Sequence, residues 1–219
     1  MAQHTSVNNL MLIKETLKKN LIIKNIPKII AVSKTFNEET IIPVINFGHN
    51  HFGENKVQEA NLKWPSLKEK SENIILHMIG KLQTNKVKIA VSLFDYIHSL
   101  DNFKLADKIA DEQTKKKKSL KIFIQVNIGQ EDQKSGIRIN DLPNFYEHCK
   151  KQDLEIVGLM CIPPANKETT KFFKELYLLS LDLKLRELSM GMSSDYINAA
   201  KNGSTFLRIG SGIFGKRNN

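Results

Sequence analysis

The stretch IIAVSKTF (residues 29–36) ends an apolar run in a serine and then Lys34. A lysine traps carbonyls when desolvation or nearby positive charge favours its neutral amine. Two later stretches, SMGMSSD (189–195) and RIGSGIFG (208–215), combine glycines that admit close backbone approach with the hydroxyls of Ser193 and Ser211. Loops of that composition suit a phosphate. Arg208 stands two residues before its glycine, in the apolar setting FLRIG. A buried guanidinium needs an acceptor; a heteroaromatic ring nitrogen would serve, and so would a carboxylate such as Glu54 or Glu187. His49, His51, His77 and His98 cluster along the sequence, but no carboxylate follows at a metal-ligand spacing. Buried, hydrogen-bonded histidines are expected there, with His49 and His51 on one strand face. No GxSxG, Walker loop, HExxH or GxGxxG occurs.

These groups need a scaffold. Short β-rich runs recur at 28–33, 50–53, 74–79, 96–99, 121–127, 155–161, 187–192 and 205–210. Several are apolar at consecutive positions, as strands buried on both faces should be. Helical spacing marks 6–20, 38–47, 55–63, 101–114, 140–151 and 167–184. Asp101 is a candidate N-cap before Phe103, Leu105, Ala106, Ile109 and Ala110, and Pro143 falls in a first turn. Eight strand–helix alternations predict an α/β fold: a single (β/α)₈ TIM barrel over residues 1–219 with an extra N-terminal helix. A doubly wound open sheet rarely needs eight parallel strands in a chain of this length.

Barrel chemistry gathers at the C-terminal strand ends. That rule selects Lys34, Gly53-Glu54-Asn55, Gly80, Ser99, Asn127, Met160-Cys161, Ser193 and Gly210-Ser211-Gly212. It also puts the two glycine loops after strands 7 and 8, the usual barrel phosphate site. A lysine facing a phosphate cup suits a phosphorylated aldehyde or ketone. Two Schiff-base readings follow, a pyridoxal 5'-phosphate (PLP) protein and a class I aldolase-like enzyme.

Bulk composition narrows the setting. The hydrophobic share of 41% and charged share of 26% suit a globular core. Cys149 and Cys161 show no CxxC or metal spacing, which points to a reducing, cytoplasmic compartment. The first twenty residues hold only a four-residue apolar run, with Glu15 and no Arg, unlike a signal or transit peptide. No stretch reaches the ~20 apolar residues of a membrane span. The net charge of +10 comes mostly from lysine, and its densest run, KKKK (115–118), has no aromatic neighbour for base stacking. Solvated helix faces absorb such lysines, so a nucleic-acid partner is not expected.

Read together, AVSKT (31–35), FGENKVQE (52–59), HMIGKLQTNK (77–86), QVN (125–127), EDQKSGI (131–137), GLM (158–160), LSMGMSSD (188–195) and RIGSGIFGKR (208–217) resemble the YggS/PROSC family of PLP homeostasis proteins. The resemblance runs in order from about residue 30 to 217. It implies a barrel like the N-terminal domain of alanine racemase, with PLP held on Lys34 as an internal aldimine. It places Asn55 close to the cofactor, Ser193, Gly210 and Ser211 on the phosphate, and Arg208 at the pyridine nitrogen. Lys86 and Lys134 match basic positions that relay or hold PLP. Asn37 departs from the proline many relatives carry there, which should alter only the loop. The resemblance also implies a monomer that buffers PLP and hands it to PLP-dependent apo-enzymes, without strong catalysis. Racemisation needs acid/base groups on both faces of a carbanion. In alanine racemase the second comes from a further domain, whereas this chain ends at Asn219, just past its eighth strand. A guanidinium also keeps its proton, leaving the ring a poorer electron sink than one facing a carboxylate. The competing reading is a racemase or an aldolase-like enzyme.

Overall fold

The computed structural model describes residues 4–22 and 26–216. The expected helix at the start is α1 (Thr5–Asn20). Strands then alternate with helices: β1 (Lys28–Val32), α2 (Glu38–Asn46), β2 (His51–Glu54), α3 (Val57–Lys70), β3 (Ile75–Met78), α4 (Val87–Leu93), β4 (Tyr96–Leu100) and α5 (Phe103–Lys116). The second half continues with β5 (Lys121–Val126), α6 (Leu142–Lys151), β6 (Ile156–Cys161), α7 (Thr170–Asp182), β7 (Glu187–Ser189), α8 (Tyr196–Lys201), β8 (Phe206–Ile209) and α9 (Ser211–Phe214). All pairings are parallel, and β1 pairs with β8 (Ile30 opposite Arg208) to close an eight-stranded barrel.

The consecutive apolar residues of β1 face two different cores. Ile29 and Ala31 join the layer between strands and helices, with Phe52, Trp64, Phe94, Phe145 and Phe173. Ile30 and Val32 point into the barrel with Tyr96, Phe123, Met160 and Phe206. Burial of both faces is why these strands lack alternation. Outside, α1 buries Val7, Leu10, Ile13 and Leu17, and Asn9 Nδ2 donates to the Ile213 carbonyl (3.0 Å), tying α1 to α9.

Several boundaries differ from the sequence expectation. α3 runs past Pro65 because Trp64 and Leu67 pack into the core, and that burial outweighs one missing N–H. The N-cap of α5 is Asn102, whose Oδ1 accepts the Leu105 N–H (2.9 Å), in place of Asp101. Phe103 lies half-exposed, edge-on to Phe145. β7 is three residues long, and Gly191, two residues on, takes φ +92° while its carbonyl still accepts the Arg208 N–H (3.0 Å). A Cβ there would sit 2.5 Å from the Ala199 Cβ, so only glycine lets α8 pack this closely. α4 and α8, with seven and six residues, are too short to show helical periodicity. Asn37 accepts the Thr40 N–H (3.1 Å) and caps α2.

The lysine run at 115–118 ends α5, and Lys118 Nζ donates to the carbonyls of Ser92 (3.1 Å) and Phe94 (2.8 Å). Cys149 and Cys161 are buried free thiols, both pushed up to about 12 by burial. Among the described residues no helix is long and apolar enough to cross a membrane.

Candidate functional site

Lys34, Asn55, Ser193, Arg208, Gly210 and Ser211 all line one cavity of about 490 Å³ at the C-terminal strand ends. Its size falls within the ~300–1,000 Å³ typical of small-molecule sites. Val32, Ile79, Gly80, Ile162, Met192 and Ser194 complete the wall. Ile162 and Met192 are large apolar residues left exposed, 41% and 37%, and both border this cavity. Sequence reasoning missed them, since an isolated exposed Ile or Met carries no signal.

Lys34 sits in a tight turn after β1 with Thr35 at φ +68°, an unusual conformation for a β-branched residue. The turn is clamped from beneath. Thr35 N–H donates to Glu59 Oε1 (2.5 Å), and Lys63 Nζ donates to the carbonyls of Ser33 (3.0 Å) and Phe36 (3.1 Å). Lys63 is itself buried and pairs with Glu54 (2.8 Å) and Glu59 (3.2 Å). Glu54 is fully buried, and its Oε1 also accepts from the Ser33 hydroxyl (2.8 Å) and the Trp64 indole (3.0 Å). Two carboxylates, an ammonium and an indole thus over-determine the strained turn that carries Lys34. The Glu59–Lys63 step of four was the available sequence signal.

Across the sheet seam, Arg208 is buried inside the barrel, and burial lowers its pKa. Its partners are neutral. NH1 donates to Ser189 Oγ (2.7 Å) and NH2 to the Cys161 carbonyl (2.9 Å). Neither Glu54 nor Glu187 pairs with it among the described residues. Ser193 Oγ accepts the Gly212 N–H (3.1 Å), tying the loop after β7 to the start of α9. Asn55 is set by Gly80, where an added Cβ would lie 2.3 Å from the Asn55 carbonyl oxygen. Asn55 Oδ1 is buried without a hydrogen-bond partner, an acceptor that a bound molecule's donor would satisfy.

The two further basic positions lie elsewhere. Lys134 pairs with Glu131 (2.7 Å) in the β5–α6 connection and does not line the cavity. Lys86 lines a neighbouring cavity of about 340 Å³ with Lys56 and Lys81, which shares Asn55 as a wall. The histidines are hydrogen-bonded, but His49 and His51 do not share a strand face. His49 precedes β2 and bonds the His51 carbonyl (2.9 Å), whereas the His51 ring bonds His77 (2.9 Å).

Comparison with known proteins fits this architecture. The family model of the alanine racemase N-terminal domain matches residues 8–218. The pyridoxal phosphate homeostasis protein of Haemophilus influenzae is 35% identical over 89% of this chain and 87% of its own. That of Aquifex aeolicus is 37% identical over 89% of each chain. The chain belongs to the pyridoxal phosphate homeostasis protein family. PipY of Synechococcus elongatus, solved without PLP, shares 32% identity with a TM-score of 0.88, covering 97% of this chain and all of PipY. PipY solved with PLP bound superposes with a TM-score of 0.83. Alanine racemase of Clostridium difficile shares the fold, with a TM-score of 0.74 at 13% identity, and this chain spans 58% of it.

Proposed function

We propose that this chain binds PLP in the cavity at the barrel mouth and serves intracellular PLP homeostasis, with residues 1–219 acting as one PLP-binding domain. The observation that carries the reading is the convergence of Lys34, Asn55, Ser193, Arg208, Gly210 and Ser211 on one cavity. PLP supplies an aldehyde that a lysine amine captures as a Schiff base and a conjugated ring that accepts electrons.

Each residue then has a part. Lys34 is the covalent anchor, held by the clamped turn. Ser193, Gly210 and Ser211 receive the phosphate where two loops are tied together. Arg208 donates to the ring nitrogen, and Asn55 offers its unfilled acceptor. Among the described residues the cavity wall carries two ionisable side chains, Lys34 and Arg208, with apolar, hydroxyl and amide groups around them. Because Arg208 keeps its proton and its partners are neutral, it leaves the ring nitrogen unprotonated. Both features favour holding PLP over activating an amino acid. On this reading the protein works in the cytoplasm as a monomer that buffers PLP and releases it to apo-enzymes.

Purified protein loaded with PLP is expected to show a yellow absorption band that Lys34→Ala abolishes. Retention of that band in the variant would overturn the assignment. Loss of an amino acid's α-proton to solvent at a catalytic rate, abolished by the same substitution, would favour the racemase reading.

A further inference from the structure

Four hydrogen bonds run in series through the barrel interior. Arg208 NH1 donates to Ser189 Oγ (2.7 Å), and His98 Nδ1 lies 2.8 Å from the same oxygen. His98 Nε2 is 2.9 Å from His77 Nδ1, and His77 Nε2 is 2.9 Å from His51 Nδ1. Strands β8, β7, β4, β3 and β2 each contribute one group. Ser189, His77 and His98 are buried, with His77 stacked on Tyr96 (centroids 4.5 Å apart) and His98 on Phe123 (4.3 Å).

The direction of the protons in this series follows from its first member. A guanidinium only donates, so Ser189 Oγ accepts from Arg208 and must direct its own proton elsewhere. Among the described residues its other partner is His98 Nδ1. His98 therefore accepts at Nδ1 and carries its proton on Nε2. The same step then fixes Nε2–H on His77 and on His51. Burial holds His77 and His98 well below 6.5, and His51 at about 4, so all three rings are neutral near pH 7 and each has one donor and one acceptor.

Two consequences follow. Every N–H points away from Arg208, so the aligned dipoles turn their negative ends toward a buried cation that has no ion pair among the described residues. The outer terminus, His51, lines a further cavity of about 250 Å³ with Lys14, Lys18, His49 and Asn50, beside the N-terminal ends of β1 and β2. The series therefore joins the mouth of the barrel to its floor.

We propose that Ser189, His98, His77 and His51 are positioning residues for Arg208, forming a neutral relay of single polarity that carries the state of the guanidinium to the floor cavity. The relay rests on the proposed function only for what Arg208 faces, and its test needs no PLP.

Long-range ¹H–¹⁵N spectra of ¹⁵N-labelled, ligand-free protein near neutral pH report each imidazole tautomer. The expected result is Nε2–H with unprotonated Nδ1 at His51, His77 and His98. Arg208→Met removes the obligate donor, so Nδ1–H forms should appear at all three rings, including His51 at the far end. An Nδ1–H tautomer or an imidazolium at His77 or His98 in the unsubstituted protein would overturn the relay. So would unchanged tautomers in a folded Arg208→Met protein. Should that variant fail to fold, Ser189→Ala removes the coupling oxygen and should mix the tautomers of His98. An unchanged His98 there would be equally decisive. Failure of PLP to bind leaves every one of these outcomes readable.

Discussion

Among the described residues two basic side chains line the cavity, Lys34 and Arg208, and the barrel supports them by opposite means. Lys34 rides on a backbone turn clamped by a buried ion pair, Lys63 with Glu54, and by the carboxylate of Glu59. Arg208 rests on neutral acceptors, the Ser189 hydroxyl and the Cys161 carbonyl, backed by three neutral histidines. The difference follows from what each group must do. A turn with a β-branched residue at positive φ needs strong local bonds to persist. On the proposed reading Arg208 donates to a bound ring, and a guanidinium in that role is better left without a carboxylate that would compete for its protons.

The largest losses are expected on the Lys34 side. Glu54→Ala takes from the buried Lys63 ammonium the nearer of its two carboxylates, leaving Glu59, and should cost about 3 kcal/mol in urea unfolding. The double variant Glu54→Leu, Lys63→Met should recover most of that loss, and no recovery would show that the pair is not the clamp. The neutral side should instead reveal itself in acid. Burial keeps His49 and His51 at about 4, whereas unfolded imidazoles take protons below about 6.5. The unfolded state binds more protons between those values, so stability is full above the window and falls as pH drops through it. Each histidine that stays neutral contributes a slope of about 1.4 kcal/mol per pH unit, less for partly exposed His51. Urea midpoints from about pH 7 to pH 4.5 check this, and a flat profile would contradict it.

Smaller effects sharpen the picture. Ser189→Ala leaves Arg208 and His98 each short of one partner and should cost about 1–3 kcal/mol. It should also weaken PLP retention while leaving the Lys34 attachment point in place. Smallest is Thr35→Gly. Relief of the left-handed strain, worth about 1–2 kcal/mol, is largely offset by the added freedom of the unfolded chain. A net change within about 1 kcal/mol is expected, and a large loss would mean that the Thr35 side chain itself supports the turn.

Much of this was legible in the sequence. Runs such as IIAV announce strands buried on two faces, and the strand-end rule led from them to Lys34, Asn55, Ser193, Gly210 and Ser211. The supports were not legible. Lys63 reads as one more solvated lysine on a helix in a lysine-rich chain, and only the packing of α3 turns it inward. For Arg208 the sequence offers Glu54 or Glu187 as partners, yet the groups it meets come from β7 and β6 through a register that no local pattern encodes. The histidine series likewise depends on β2, β3 and β4 staggering their rings by hydrogen-bonding distances and on His98 of β4 reaching Ser189 of β7 across the barrel. Lys86 and Lys134 carried motif resemblance, but the loops that bear them place both outside the cavity wall.

Every role proposed at the barrel mouth depends on Lys34 holding PLP. Borohydride reduction of the PLP-loaded protein, followed by digestion and mass analysis, tests it most directly. A pyridoxyl group on the peptide containing Lys34, and absent from Lys34→Ala, is the predicted result. An adduct confined to another lysine, or none from loaded protein, would contradict it.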